Sequence, residues 1–171
     1  HSDDLTHTDE AGNVQKLTRG LTTDYTPPVS GHDYEHDGEW VSTEKALVTL
    51  TAADNLTGVA HTYYNVNDGE PQEGITAEIT AGGVHTVQYW SVDGVVNVEE
   101  KKSISVKIDR TPPETTAHIT PEPNDNGWHN EPVVVTFHSA DGLSGVQNLY
   151  SQVNGGPVTE AQQITVSEEG N

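Results

Sequence analysis

Apolar residues in this chain fall in short runs that alternate with polar ones. Within residues 46–54, Val48, Leu50 and Ala52 share one face, and Leu47, Thr49 and Thr51 share the other. A period of two predicts a strand with one buried face. Residues 133–140 and 85–93 read the same way, and Thr and Val dominate these runs, as strands prefer. Between them lie turn-forming clusters such as Asp54-Asn55 and Asn67-Asp68-Gly69. No stretch keeps a helical period, so no helix is expected.

The runs recur. Thr26-Pro27-Pro28 returns as Thr111-Pro112-Pro113, 85 positions later. Residues 46–54 match 133–141, Asn55-Leu56-Thr57-Gly58-Val59 matches Gly142-Leu143-Ser144-Gly145-Val146, and 63–69 match 150–156. Trp40 matches Trp128. Residues 85–98 in turn resemble 1–14, and Asp109-Arg110-Thr111-Pro112-Pro113 matches Asp24-Tyr25-Thr26-Pro27-Pro28. Self-similarity at a nearly fixed spacing marks a repeat. The chain opens at a point equivalent to His85, and its last residue falls where a further copy would begin. Residues 26–110 then form one complete unit, 1–25 the back of a unit and 111–171 the front of one. Several short strands per unit suit an immunoglobulin-like sandwich, and Thr-Pro-Pro reads as a stiff linker. The expected fold is all-β: tandem immunoglobulin-like β-sandwich repeats, one complete and one split between the chain ends.

The string from Trp128 through Val133-Val134-Val135-Thr136-Phe137, Ala140-Asp141-Gly142-Leu143-Ser144-Gly145-Val146, Tyr150 and Val153-Asn154-Gly155-Gly156 resembles the bacterial immunoglobulin-like repeats of secreted and cell-surface proteins, the OmpL47-like type. Residues 85–93 continue that likeness, and Asp9-Glu10-Ala11-Gly12-Asn13-Val14 is similar to the family's D-x-A-G-N-V turn. The second copy of that turn departs from it at Gly94-Val95-Val96-Asn97. The resemblance spans nearly the whole chain. It implies an extracellular or cell-surface protein acting as a tandem spacer, an adhesin stalk or an accessory module of a polysaccharide-active enzyme.

Charge narrows the partners. Among 171 residues, Asp and Glu number 27 against 7 Lys and Arg, a formal charge of −20. Nucleic acid and anionic membrane surfaces need the opposite balance, so neither is expected as a partner. No apolar run approaches the roughly 18 residues that insertion into a bilayer needs. The start, His1-Ser2-Asp3-Asp4, has no leader pattern. Cys and Met are absent, which excludes disulfides and thiolate metal sites and suits an oxidising, extracellular setting.

The shifted frame suggests a partner. Residues 111–171 would expose apolar core and strand edges, and residues 1–25 would be strands without a body. Residues 1–25 of one molecule completing 111–171 of the next is strand addition in trans, a heterologous contact that builds a linear filament. His1, Leu5, Val14 and Leu17 would meet Val135, Phe137 and Val166 at that subunit interface. Asp3, standing where Val87 stands in the other copy, makes a poor donor residue. The competing reading is a window of a longer repetitive protein, with neighbouring repeats of the same chain as partners.

Other chemistry is sparse. Asp109, Asn124, Asp125 and Asn126, with Asp33, Glu35 and Asp37, gather hard oxygen ligands near linkers, as Ca²⁺ requires; turn-forming side chains in solvated loops are the competing reading. Asp9, Asp54, Asp93 and Asp141 recur at strand ends and read as turn holders. Tyr89 and Trp90 are adjacent, so alternation turns one outward, where it could stack on a glycan or fill a partner's pocket. Trp40 and Trp128 read as core anchors. No phosphate loop, nucleophile elbow or His-Glu-x-x-His pattern occurs, so an enzyme is not expected.

Overall fold

The computed structural model describes residues 2–168; His1, expected at the subunit interface, lies outside them. Among the described residues every regular element is a strand: β1 (Ser2–Thr8), β2 (Val14–Gly20), β3 (Val29–His32), β4 (Trp40–Val41), β5 (Ala46–Ala53), β6 (Val59–Val66), β7 (Gln72–Glu73), β8 (Thr76–Ile79), β9 (Gly83–Asp93), β10 (Lys102–Ile108), β11 (Glu114–Thr120), β12 (Val133–Ala140), β13 (Tyr150–Ser151), β14 (Thr159–Glu160) and β15 (Gln163–Val166). Among the described residues no helix is long and apolar enough to cross a membrane. The alternating runs at 46–53, 85–93 and 133–140 all become strands. The architecture is all-β and sandwich-like, built of several sheets with no closed barrel.

The chain divides into two compact units: residues 1–38, 46–79 and 85–106, and residues 39–45, 80–84 and 107–171. In the first, β3-β5-β8 form one sheet, and β10, β9, β6 and β7 lie side by side in another. Their apolar faces supply a core of Ala46, Val48, Leu50, Ala77, Ile79, Val87, Tyr89, Ile104 and Val106. Burying each of the larger aliphatic side chains favours the fold by roughly 1.5–3 kcal/mol. A polar clamp crosses between the sheets. Glu99 accepts from Ser30 N at 2.9 Å, from Ser30 Oγ, from Ser91 N at 3.3 Å and from Lys102 Nζ. Ser91 Oγ bonds Ser30 Oγ at 2.7 Å and Thr62 Oγ1 at 3.0 Å. Among the described residues β1 and β2 pair only with each other, Ser2 opposite Gly20 through Thr8 opposite Val14.

In the second unit, Trp40 and Val41 run parallel to Lys107 and Ile108. β11, β12 and β15 form a three-stranded sheet, and β13 pairs with β14. Their registers repeat those of the first unit. Glu114 faces Ala140 as Val29 faces Ala53, Val133 faces Val166 as Ala46 faces Ile79, and Tyr150 faces Glu160 as Tyr63 faces Glu73. Matching turns follow. Asn67 and Asp68 take φ of 53° and 56°, Asn154 and Gly155 take 48° and 70°, the pair of left-handed residues a tight hairpin turn demands. Trp128 is no core anchor: it stands 59 % exposed, because among the described residues no strand covers it as β10 flanks Trp40.

Candidate functional site

Three carboxylates meet at one end of the first unit. One oxygen from each of Asp24, Asp54 and Asp93 lies within 4.8 Å of the others, a set of hard ligands that could hold a cation. Each also holds the chain. Asp24 Oδ1 accepts Thr26 N and Oγ1 at 3.0 and 2.8 Å, and its Oδ2 accepts Thr57 N and Oγ1 at 3.2 and 2.8 Å. Asp54 Oδ1 accepts the amides of Leu56, Thr57 and Gly58 within 3.0 Å, while its Oδ2 is buried without a hydrogen-bond partner. Asp93 Oδ1 accepts Val95 N and Asn97 N at 3.0 and 2.7 Å, and its Oδ2 accepts Asn97 Nδ2 at 2.7 Å. The Thr26 amide, foremost, lowers the pKa of Asp24. For Asp93 burial pushes upward, and the Asn97 bonds outweigh it. The sequence already showed Asp at strand ends and read it as turn-holding; the convergence of three was missed, because it depends on how the turns meet in space.

The same bonds occur elsewhere in two separate places. Asp109 Oδ1 accepts Thr111 N and Oγ1 at 3.0 and 2.6 Å, and Oδ2 accepts Ser144 N at 2.9 Å. The Thr111 hydroxyl, with the Ser144 bonds next, holds this carboxyl far below the usual range. Asp141 Oδ1 accepts Leu143 N and Gly145 N at 3.0 and 2.8 Å, as Asp54 does. The counterpart of Asp93 is Asp9, in the turn between β1 and β2. Its Oδ1 accepts Ala11 N and Asn13 N at 2.9 and 2.8 Å, and its Oδ2 accepts Asn13 Nδ2 at 2.8 Å.

Around Asp141 the second unit is open. A cleft of about 540 Å³ runs between Phe137 and His138 on one side and Val146, Gln147 and Leu149 on the other. A second, of about 830 Å³, is bordered by Trp128, Glu131 and Val166. Val135, Phe137 and Val166, expected at the subunit interface, are all only half-buried, whereas their counterparts Val48, Leu50 and Ile79 belong to the core. Leu5, Val14 and Leu17, expected on the other side of that interface, are 70, 65 and 61 % exposed.

The remaining expected site residues behave differently. Neither Trp90 nor Tyr89 is an exposed contact residue. Trp90 is covered by Tyr63, stacked at 5.7 Å, and by Lys101 Nζ, 4.3 Å from its ring centre. Tyr89 is in the core with its ring edge against His32. Asn124 Oδ1 accepts Asn126 N and Trp128 N, both at 3.0 Å, so it builds its own turn; Asp125 and Asn126 are exposed in that turn, and Asp109 binds Thr111 and Ser144 instead. No family model matches this chain, and no curated protein sequence matches it.

Proposed function

We propose that the protein is structural: an immunoglobulin-like repeat, secreted or at a cell surface, that forms a stalk or a filament by head-to-tail strand complementation between successive units. One observation carries this reading. The strand pairings of β11–β15 repeat those of β3–β8, the bonds of Asp141 repeat those of Asp54, and the turn between β1 and β2 repeats the Asp93–Asn97 bonds that follow β9. Closely matched β units in tandem suit a chain that bears tension, since each unit gives up its folded length only when its ladder is broken. The burial of Trp90 and Tyr89 removes the support for a glycan platform there.

Mechanical unfolding tests the reading. Stretching a tethered chain should release roughly 290 Å for a folded repeat of 85 residues, at about 3.4 Å per residue. A trace that extends without such a step would count against a structural repeat.

A further inference from the structure

We propose that Asp24, Asp54 and Asp93 form a calcium site that ties three segments of the first unit together. The site holds whether or not the chain serves as a stalk. Asp24 stands just ahead of Thr26-Pro27-Pro28, Asp54 follows β5, and Asp93 ends β9. Three stretches far apart in sequence thus each bring one carboxylate oxygen to within 4.8 Å of the others.

Turn-holding does not account for this arrangement. The turn after β5 needs one acceptor, and Asp54 Oδ1 supplies it to the amides of Leu56, Thr57 and Gly58. Oδ2 is left over. It is fully buried and accepts no hydrogen bond. A buried carboxylate oxygen without a donor is costly unless something else meets its charge. The other two carboxylates are themselves shut away from solvent, Asp93 being 1 % exposed and Asp24 9 %. Among the described residues none of the three is in an ion pair with Lys, Arg or His. Like charges this close repel, the more so where water is excluded, and a cation at their centre turns that repulsion into attraction. The Asp9 turn shows what turn-holding alone looks like. It makes the bonds of the Asp93 turn, both its oxygens have donors, and Asp9 is exposed and outside any such cluster among the described residues.

The donor set selects the ion. Only oxygen is offered, with no His or Cys in the group, which suits calcium, magnesium or manganese over zinc or copper. Three oxygens no more than 4.8 Å apart share a centre within about 2.8 Å of each, close to the roughly 2.3–2.6 Å of calcium–oxygen bonds. Magnesium keeps several of its waters and takes one or two carboxylates, whereas carboxylates from three separate turns suit the larger, more tolerant shell of calcium. A bound ion would fix the end of β5, the end of β9 and the chain entering β3 at one point.

The test is a titration of the chelator-stripped chain with Ca²⁺, followed by amide NMR. The amides of Leu56, Thr57, Gly58 and Asn97 should shift together and saturate, while those of Ala11 and Asn13 in the Asp9 turn stay in place. Asp54→Asn keeps the turn's Oδ1 acceptor and puts an amide nitrogen where Oδ2 stands. It should weaken Ca²⁺ binding at least about tenfold, since the charge of the ligands sets affinity. Mg²⁺ should bind more weakly than Ca²⁺. A measurement on the natural chain covers the case of a variant that does not fold. Hydrogen exchange of the Thr57 and Asn97 amides should slow about tenfold, relative to chelator, when Ca²⁺ stands at about ten times its dissociation constant. Equal shifts in the Asp9 turn would mean diffuse screening of an acidic surface and overturn the proposal. So would an Asp54→Asn chain that binds as tightly as the natural one, tighter binding of Mg²⁺, or exchange rates indifferent to Ca²⁺.

Discussion

Leu50 and Phe137 occupy the same place in matching strands and live in different surroundings. Leu50 is 2 % exposed, at the centre of a core closed by β9 and β10; Phe137 lines an open cleft. Their ladders are alike: β3-β5-β8 and β11-β12-β15 keep the same order and register. Backbone pairing and turn chemistry are thus set within each stretch. Burial depends on a hairpin that lies elsewhere in the sequence. The difference teaches that register is written locally, while a closed core is a property of which strands are brought together.

Truncation at the two positions gives the widest separation. Leu50→Ala should cost about 3 kcal/mol in denaturant unfolding, combining lost transfer energy with a cavity that β9 cannot collapse into. Phe137→Ala should cost about 1 kcal/mol in dilute solution, since much of its ring is already hydrated. Equal costs would mean that the second unit closes on its own and would end the comparison.

The polar clamp provides a second contrast. Glu99→Ala should destabilise the first unit by about 2–3 kcal/mol, because the amides of Ser30 and Ser91 lose their acceptor in a buried place. The figure stays below that of a fully enclosed pair because Lys102 is 39 % exposed. In the hairpin the corresponding positions are Gln15 and His7, which cannot rebuild this clamp. The β1–β2 hairpin therefore lacks this polar link, although its Asp9 turn matches that of Asp93.

Much of this was legible in the sequence, for physical reasons. Period-two alternation located β5, β9 and β12, because one face of each is turned to apolar neighbours. Asn67-Asp68-Gly69 announced its turn through residues that tolerate positive φ. The surroundings of Trp90 and Trp128 were not legible, because alternation gives the direction of a side chain and not what covers it. Trp90 does point off its strand, but Tyr63 and Lys101 lie over it; among the described residues no strand covers Trp128 as its match to Trp40 suggested. The meeting of Asp24, Asp54 and Asp93 was hidden for the same reason, being an agreement among three turns far apart in sequence.

Acidification separates the two regions more gently. Asp24 and Asp93 have folded pKa values below the ordinary 3.8, so the unfolded chain binds their protons first. Their contribution is present in full above pH 3.8 and is lost as pH falls through the lower, folded values. Asp109 is displaced furthest, so the turn it makes with Thr111 and Ser144 should survive to the lowest pH. Amide exchange or NMR of the Ser144 and Thr57 amides across pH 5 to about 2 reads both at once. Loss of the Ser144 bond before the Thr57 bond would contradict this order.

The smallest effect isolates one turn from its twin. Asp9-Glu10-Ala11-Gly12-Asn13 and Asp93-Gly94-Val95-Val96-Asn97 make the same Asp-to-Asn bonds, and each needs a left-handed residue at its fourth position. Gly12 takes φ of 84° there at no steric cost, whereas Val96 is held at 70°. A β-branched residue in that region costs roughly 1–2 kcal/mol, because its Cβ crowds the following carbonyl. Val96 is 74 % exposed, so its side chain gives little packing in return. Val96→Gly should therefore stabilise the first unit by about 1 kcal/mol, less than the full strain because glycine frees the unfolded chain. Gly12→Val should loosen the hairpin turn by a similar amount, since Asp9 would no longer be held in position. If Val96→Gly destabilised instead, the Asp93–Asn97 turn would owe its shape to the valine and not to the Asp-to-Asn bonds that it shares with the Asp9 turn.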